Sequence, residues 1–224
     1  MDDTLTIIKI SVIIYLPVSK LICLLMDTKQ KILDVCLRLF MQLGFENTFM
    51  SDVAQKVGVT KPVIYYYFKD KQALFEASAE QFLDQMAQMM SPKGEEIPAL
   101  EGLLGVIFSS LPEWLDRYQR MSGIDDHTSL LRVQVFIYDA MTRIPDFRSA
   151  FATLYLNSAQ LLQQACEEAV RRGEIHPEID IPTVSILINS MIEGLMLMAM
   201  VDPQLDLEKT GREGAETLWR MLKT

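Results

Sequence analysis

Cysteine is scarce in this chain: Cys23, Cys36 and Cys166 are the three among 224 residues. They are far apart and odd in number, so neither a disulfide framework nor a zinc-ligand spacing follows, and a reducing compartment is the simplest setting. Glycine and proline are sparse as well, ten and nine, while Leu, Ala, Met, Gln and Glu abound, which favours an all-α chain. Half of the residues are hydrophobic, which excludes disorder as the general state. No internal repeat or low-complexity tract is visible. A catalytic constellation is missing too, so no catalytic residue, metal or cofactor is expected. Asp125–Asp126–His127 is the one local group of metal-ligand type, and it reads as the cap of the helix that follows. His176, in a loop beside Pro177, reads as solvent-facing.

Positive charge is in deficit overall, with a formal net charge of −9. The deficit is uneven. Residues 26–75 carry seven Lys/Arg against five Asp/Glu, and residues 76–224 carry 12 against 23. A near-neutral to basic head on an acidic body can still place Lys61, Lys69 and Lys71 on phosphates.

A membrane-spanning run is absent from the apolar N-terminus. The uncharged stretch between Lys9 and Lys20 is ten residues, short of the roughly 20 that a span requires. Acids come first and no small-residue cleavage site follows, so it is not a signal peptide either. The preferred reading of residues 1–25 is a non-native extension with initiation at Met26. An extra helix or strand on the body and a membrane-surface segment are the alternatives.

From Thr28 the pattern is helical. Ile32, Val35, Cys36, Leu39, Phe40 and Leu43 keep a spacing of three to four, and Gly44 ends the helix. The stretch SDVAQKVGVTKPVIYYYFKDKQALF, residues 51–75, then reads as two short helices around a tight turn with a third following at once. Ser51 is the expected cap of the first, with Val53, Ala54 and Val57 on one face. Gly58 supplies the turn. Thr60 is the expected cap of the second, which tolerates Pro62 in its first turn. Ile64 and Phe68 point one way; Pro62 and Tyr66 point the other, flanked by Val63 and Tyr65. One face suits a helical core and the other a polar, anionic surface, as in the recognition helix of a helix-turn-helix.

Asp70 is the expected cap of a helix running to about Met90, and Ser91–Gly94 marks a loop. The body continues with helices at about 97–110, from Pro112 to Ser122, at 127–143, at 146–172, at 183–200 and at 207–222. The helix at 183–200 is apolar nearly all round. Asn189, Glu193 and its amphipathic neighbours favour a subunit interface over a membrane span. Glu193 is the functional candidate there, for a cationic ligand or for a pair across a dimer seam. Met86, Met89, Met90, Met121, Met141 and the methionines of 191–200 read as core filler that can also line an adaptable pocket. Phe108, Trp114, Phe136 and Phe151 read as core first and pocket wall second. Tyr155 and Asn189 join them as candidate ligand contacts.

Residues 28–76 resemble the DNA-binding domain of TetR-type bacterial transcription regulators. The resemblance is carried by Gly44–Phe45, Thr48, Val53–Ala54, Gly58–Val59, Ile64–Tyr65, Phe68, Lys71 and Leu74–Phe75. It implies that Thr60, Lys61, Pro62 and Val63 touch base edges, that Tyr65, Tyr66 and Lys71 touch phosphates, and that Thr48 stands near the backbone-contacting start of the second helix. Tyr67 departs from the histidine that many members carry there; by wheel angle it leans towards the core. The segment RRGEIHPEIDIPTVSILINSMIEGLML resembles the penultimate part of many members, where two helices pair between subunits. Leu161, Cys166, Ile188, Ile192 and Leu195 are the expected interface residues.

The expected architecture is all-α: a helix-turn-helix head over 26–75, then a connecting helix and a larger helical ligand-binding and dimerisation domain over 76–224. The expected function is that of a cytoplasmic, homodimeric regulator. As a repressor rather than an enzyme, it binds double-stranded DNA at a palindrome and is released by a small, mainly apolar effector. The alternative is a helical ligand-binding or interaction protein without DNA binding, which would show a degraded recognition helix.

Overall fold

The computed structural model describes residues 18–90, 99–126 and 128–224, with side chains of the first helix described from Asp27 onward. Residues 1–17, the loop expected at Ser91–Gly94 and His127 lie outside the described residues. The described residues form ten α-helices and one isolated bridge, Ile175 to Lys223. In chain order they are α1 Val18–Asn47, α2 Met50–Val57, α3 Lys61–Tyr67, α4 Lys71–Met90, α5 Leu100–Ser109, α6 Leu111–Ser122, α7 Thr128–Arg143, α8 Phe147–Arg171, α9 Ile181–Val201 and α10 Leu207–Leu222. The all-α expectation is correct.

The helix ends follow local chemistry. Gly44 breaks α1 with a φ of 77°, and Gly58 ends α2 in the left-handed region, its N–H bonding back to the Ala54 carbonyl. Asp70 caps α4 through the Ala73 N–H at 2.8 Å, and Asp206 caps α10 through Lys209. Asp126 accepts from both the N–H and the hydroxyl of Thr128 at the start of α7. Two expected caps differ. The helix α2 starts at Met50 with Phe49 at its cap position, so Ser51 lies inside it and donates to Asp52 instead. Thr60 stands at the cap position of α3 but makes no side-chain cap bond. Pro62 has no N–H to offer, and the Val63 N–H already bonds the Thr60 carbonyl.

The helix α1 is more buried than one stripe predicts. Leu33, Leu37 and Met41 are buried beside Ile32, Cys36, Leu39 and Phe40, because α1 packs on α2 and α4 and also on α6 and α7. An aromatic chain ties these layers together. Phe40 and Phe45 both meet the edge of Phe75 on α4, at 4.9 and 5.1 Å, and Phe75 meets Phe136 on α7 at 5.5 Å. Phe75 therefore belongs to one hydrophobic cluster that continues without interruption into α7 and α8. Each such ring contributes about 1.5–3 kcal/mol by burial.

A second cluster holds the far end, where α5, α8, α9 and α10 meet. Here α10 lies so close to α5 that a Cβ on Gly211 would fall 2.5 Å from the Phe108 carbonyl oxygen. The helix α9 has the length and composition of a membrane span, but only 28% of its most apolar window is buried. Its inner face enters the second cluster. Ile186, Leu187, Leu197 and Met198 remain exposed.

Candidate functional site

Two places concentrate the candidate residues: the outer face of α3 and a cavity in the body.

On α3, Ile64 and Phe68 are buried and hold the helix to the head. Lys61, Pro62, Tyr65 and Tyr66 are exposed, and Val63 is half-buried. The Thr60 hydroxyl, relieved of capping, is exposed at the same end. Tyr67 is half-buried and stands edge-on to Tyr66 at 4.9 Å. Its phenol pKa is raised, chiefly by desolvation and then by Tyr66, against the effect of a hydrogen bond with Thr28. Lys71 donates to the Glu46 carbonyl at 3.1 Å and lies 4.4 Å above the Phe45 ring centroid, so its stem is fixed at the edge of this face.

Thr48 corrects the expectation placed on it. It is 1% exposed, and its hydroxyl is shared between the carbonyls of Leu39 at 3.3 Å and Gly44 at 2.9 Å. Gly44 is the residue at which α1 breaks, so the hydroxyl sits across that break. The hydroxyl is committed inside the protein and cannot reach a phosphate.

The body holds a cavity of about 530 Å³ between α4, α5, α6, α8 and α9. Of the expected ligand contacts, Trp114, Tyr155, Asn189 and Glu193 line it. Met86, Met89 and Met90 of α4 line it as well. Phe108, Phe136 and Phe151 do not, because each is spent on packing: Phe108 under α10, Phe136 between Phe75 and Phe82, and Phe151 between Phe147 and Tyr155. Met121 lines a separate surface cleft with Arg38 and Arg120.

Sequence reasoning missed Tyr118, Glu113 and Arg117 on the cavity wall. Tyr118 follows Trp114 by four residues on α6, a spacing that places both on one side of a helix. The Tyr118 hydroxyl lies 3.5 Å from the Met86 sulfur. Glu113 and Arg117 pair at 3.2 Å along the helix. On the facing helices, the Tyr155 hydroxyl donates to the exposed Glu193 at Oε1, 2.7 Å away, and Ser158 donates to Asn189 at 3.1 Å. Both phenols, Tyr118 and Tyr155, have raised pKa values, first from desolvation and then from the Glu193 charge. They stay protonated.

The expected subunit-interface residues split. Leu161 is half-buried and lines the cavity, and Leu195 is half-buried against the second cluster. Cys166 and Ile188 are fully buried and Ile192 nearly so. A side chain with no accessible surface in one protomer has none left to bury against another, so these three belong to the protomer's own core.

Among the described residues no group of three or more His, Cys, Asp or Glu is placed to hold a metal ion.

The family model for bacterial regulatory proteins of the tetR family matches residues 32–78, which run from within α1 through α2 and α3 into the start of α4. The HTH-type transcriptional regulator AcrR of Shigella flexneri is 27% identical over 197 residues, covering 87% of this chain and 89% of that protein. TtgR of Pseudomonas putida, also an HTH-type transcriptional regulator, is 27% identical over 203 residues, covering 86% and 91%. Among solved structures, NalD of Pseudomonas aeruginosa, the secondary repressor of the MexAB-OprM multidrug efflux pump, matches with a TM-score of 0.59 at 19% identity, covering 88% of this chain and 96% of that one. SmeT in complex with triclosan matches with a TM-score of 0.61 at 17% identity, covering 88% and 92%. The likeness to NalD and SmeT is one of fold. The relatives by sequence are regulators of transcription and not enzymes.

Proposed function

We propose that this chain is a cytoplasmic, homodimeric repressor of the TetR family of bacterial regulatory proteins, released from a palindromic operator by a small, mainly apolar effector. The observation that carries this is the outer face of α3. Thr60, Lys61, Pro62, Tyr65 and Tyr66 are all exposed and Thr60 makes no cap bond, while the buried Ile64 and Phe68 hold the helix to the head. A short helix so held, with hydroxyls and an ammonium outward, is suited to the major groove. Thr60, Lys61, Pro62 and Val63 at its N-terminal end would meet base edges. Tyr65, Tyr66 and Lys71 would meet phosphates, and Tyr67 would serve mainly to hold Tyr66 in place.

Two such heads must lie about 34 Å apart to reach successive major-groove half-sites. The exposed apolar residues of α9, Ile186, Leu187, Leu197 and Met198, with Leu156 on α8, suit the pairing surface. The effector would enter the cavity of the 76–224 body. Met86, Met89 and Met90 form part of that wall and lie on α4, whose other end carries Phe75 into the head. A ligand that fits better when α4 is tilted shifts the heads out of register, by no more than its differential affinity for the two states allows.

Selection of bound fragments from genomic DNA supplies the operator, and gel-shift titration of Lys61→Ala and Tyr65→Ala then tests the assignment. Both variants should lose operator binding and keep the wild-type melting temperature. Unchanged affinity in both would overturn it. Retained DNA binding that no small molecule weakens would remove the effector but leave the DNA-binding role.

A further inference from the structure

The cavity wall is mainly apolar and aromatic, yet α9 presents one carboxylate to it. Glu193 accepts the Tyr155 hydroxyl on Oε1 at 2.7 Å. Among the described residues no lysine, arginine or histidine pairs with it. The one arginine on the same wall, Arg117, is held by Glu113 at 3.2 Å. Glu113 and Arg117 cancel, so among the described lining residues Glu193 is the one charged side chain without an opposite charge paired to it. Tyr155 gives it one hydrogen bond, but both phenols, raised in pKa by desolvation, remain neutral and bring no positive charge.

Glu193 is exposed, and an apolar molecule seated beside it in the cavity would displace water from its carboxylate without balancing its charge. A neutral ligand therefore fits the walls but penalises Glu193, and an anion adds repulsion. A cation removes the penalty. Trp114, Tyr118 and Tyr155 line the same space, and aromatic rings attract a cation.

We propose that the effector is an organic cation, an amphiphile whose protonated or quaternary amine is set against Glu193 and whose apolar body lies along Met86, Met89, Leu103 and Ile107. This rests on the reading of the cavity as the effector site, and it adds the charge that the effector must carry.

The test compares three chains of equal length below their micelle-forming concentrations: decyltrimethylammonium, decanol and decanesulfonate. Binding to the full chain is followed by tryptophan fluorescence and calorimetry. Decyltrimethylammonium should bind at least about tenfold more tightly than decanol, and decanesulfonate more weakly than either. In Glu193→Gln the ratio of cation to decanol affinity should fall towards one. The ratio is read within one protein, and the wild-type comparison stands even if that variant fails to fold. Equal binding of the cation and decanol by the wild type, or an unchanged ratio in Glu193→Gln, overturns the cation and leaves the apolar effector site intact. Failure of all three to bind overturns both.

Discussion

Arg143, the last residue of α7, places its guanidinium 2.8 Å from the Glu46 carboxylate at the end of α1. The same guanidinium lies 4.2 Å from the centroid of Phe45 and within 3.5 Å of Asp139. Its backbone carbonyl accepts from Gln72 on α4 at 3.4 Å. One residue of the body thus touches both segments that flank the helix-turn-helix. The Glu46 carboxylate is mostly exposed, so the ion pair adds little stability. Its interest is positional.

Arg143→Ala should change the unfolding free energy by about 1 kcal/mol or less, by chemical denaturation. It should change the effector concentration needed for half-release of the operator by about two- to tenfold, because Arg143 is a body residue that holds both α1 and α4 beside the helix-turn-helix. A release curve that superposes on the wild type would remove Arg143 from the coupling.

Thr48→Val should destabilise the fold by about 1–3 kcal/mol, since it leaves the Leu39 and Gly44 carbonyls without the hydroxyl that serves them. The folded fraction should bind operator nearly as well as the wild type. A large loss of affinity with unchanged stability would restore Thr48 to the DNA contacts.

Gly211→Ala should be among the costlier single-methyl changes in the body. The new Cβ would stand 2.5 Å from the Phe108 carbonyl oxygen, which is backbone and cannot rotate away. Separating α10 from α5 should cost about 1–3 kcal/mol, seen as a lower melting temperature. Gly214→Ala, with open space at its Cβ, is the control that should be neutral or mildly stabilising.

Burial pushes the thiol of Cys36 up to about 12 and that of Cys166 to about 11, the latter with a smaller contribution from Glu167. At pH 8 neither should react with iodoacetamide in the native protein, and both should react once it is unfolded, as peptide mass mapping will show. The sign for stability follows. The folded pKa of Cys36 exceeds its ordinary value of 9.0, so its contribution is complete below that pH and is lost as pH rises towards about 12. Native-state labelling of Cys36 at pH 8 would mean that α1 opens locally.

Sequence by itself determined the helices, the break at Gly44, the turn at Gly58 and the face of α3 that carries Lys61, Tyr65 and Tyr66. Each follows from local rules: periodicity, positive φ at glycine, a missing N–H at proline. Tertiary structure alone decided what each apolar or hydroxyl side chain is for. Phe136 and Trp114 look alike as large rings on helices, yet Phe136 is closed between Phe75 and Phe82 while Trp114 faces the cavity. Ile188 faces the core and Ile186, half a turn away, faces outward. Thr48 reads as a surface hydroxyl until the broken end of α1 is seen to need it. Core, cavity wall and outer apolar face all draw on the same residues, because burial rewards apolar area without regard to direction. Only the packing of α4, α5, α6, α8 and α9 around one space separates them, and among the described residues no basic side chain pairs with Glu193 where it lines that space.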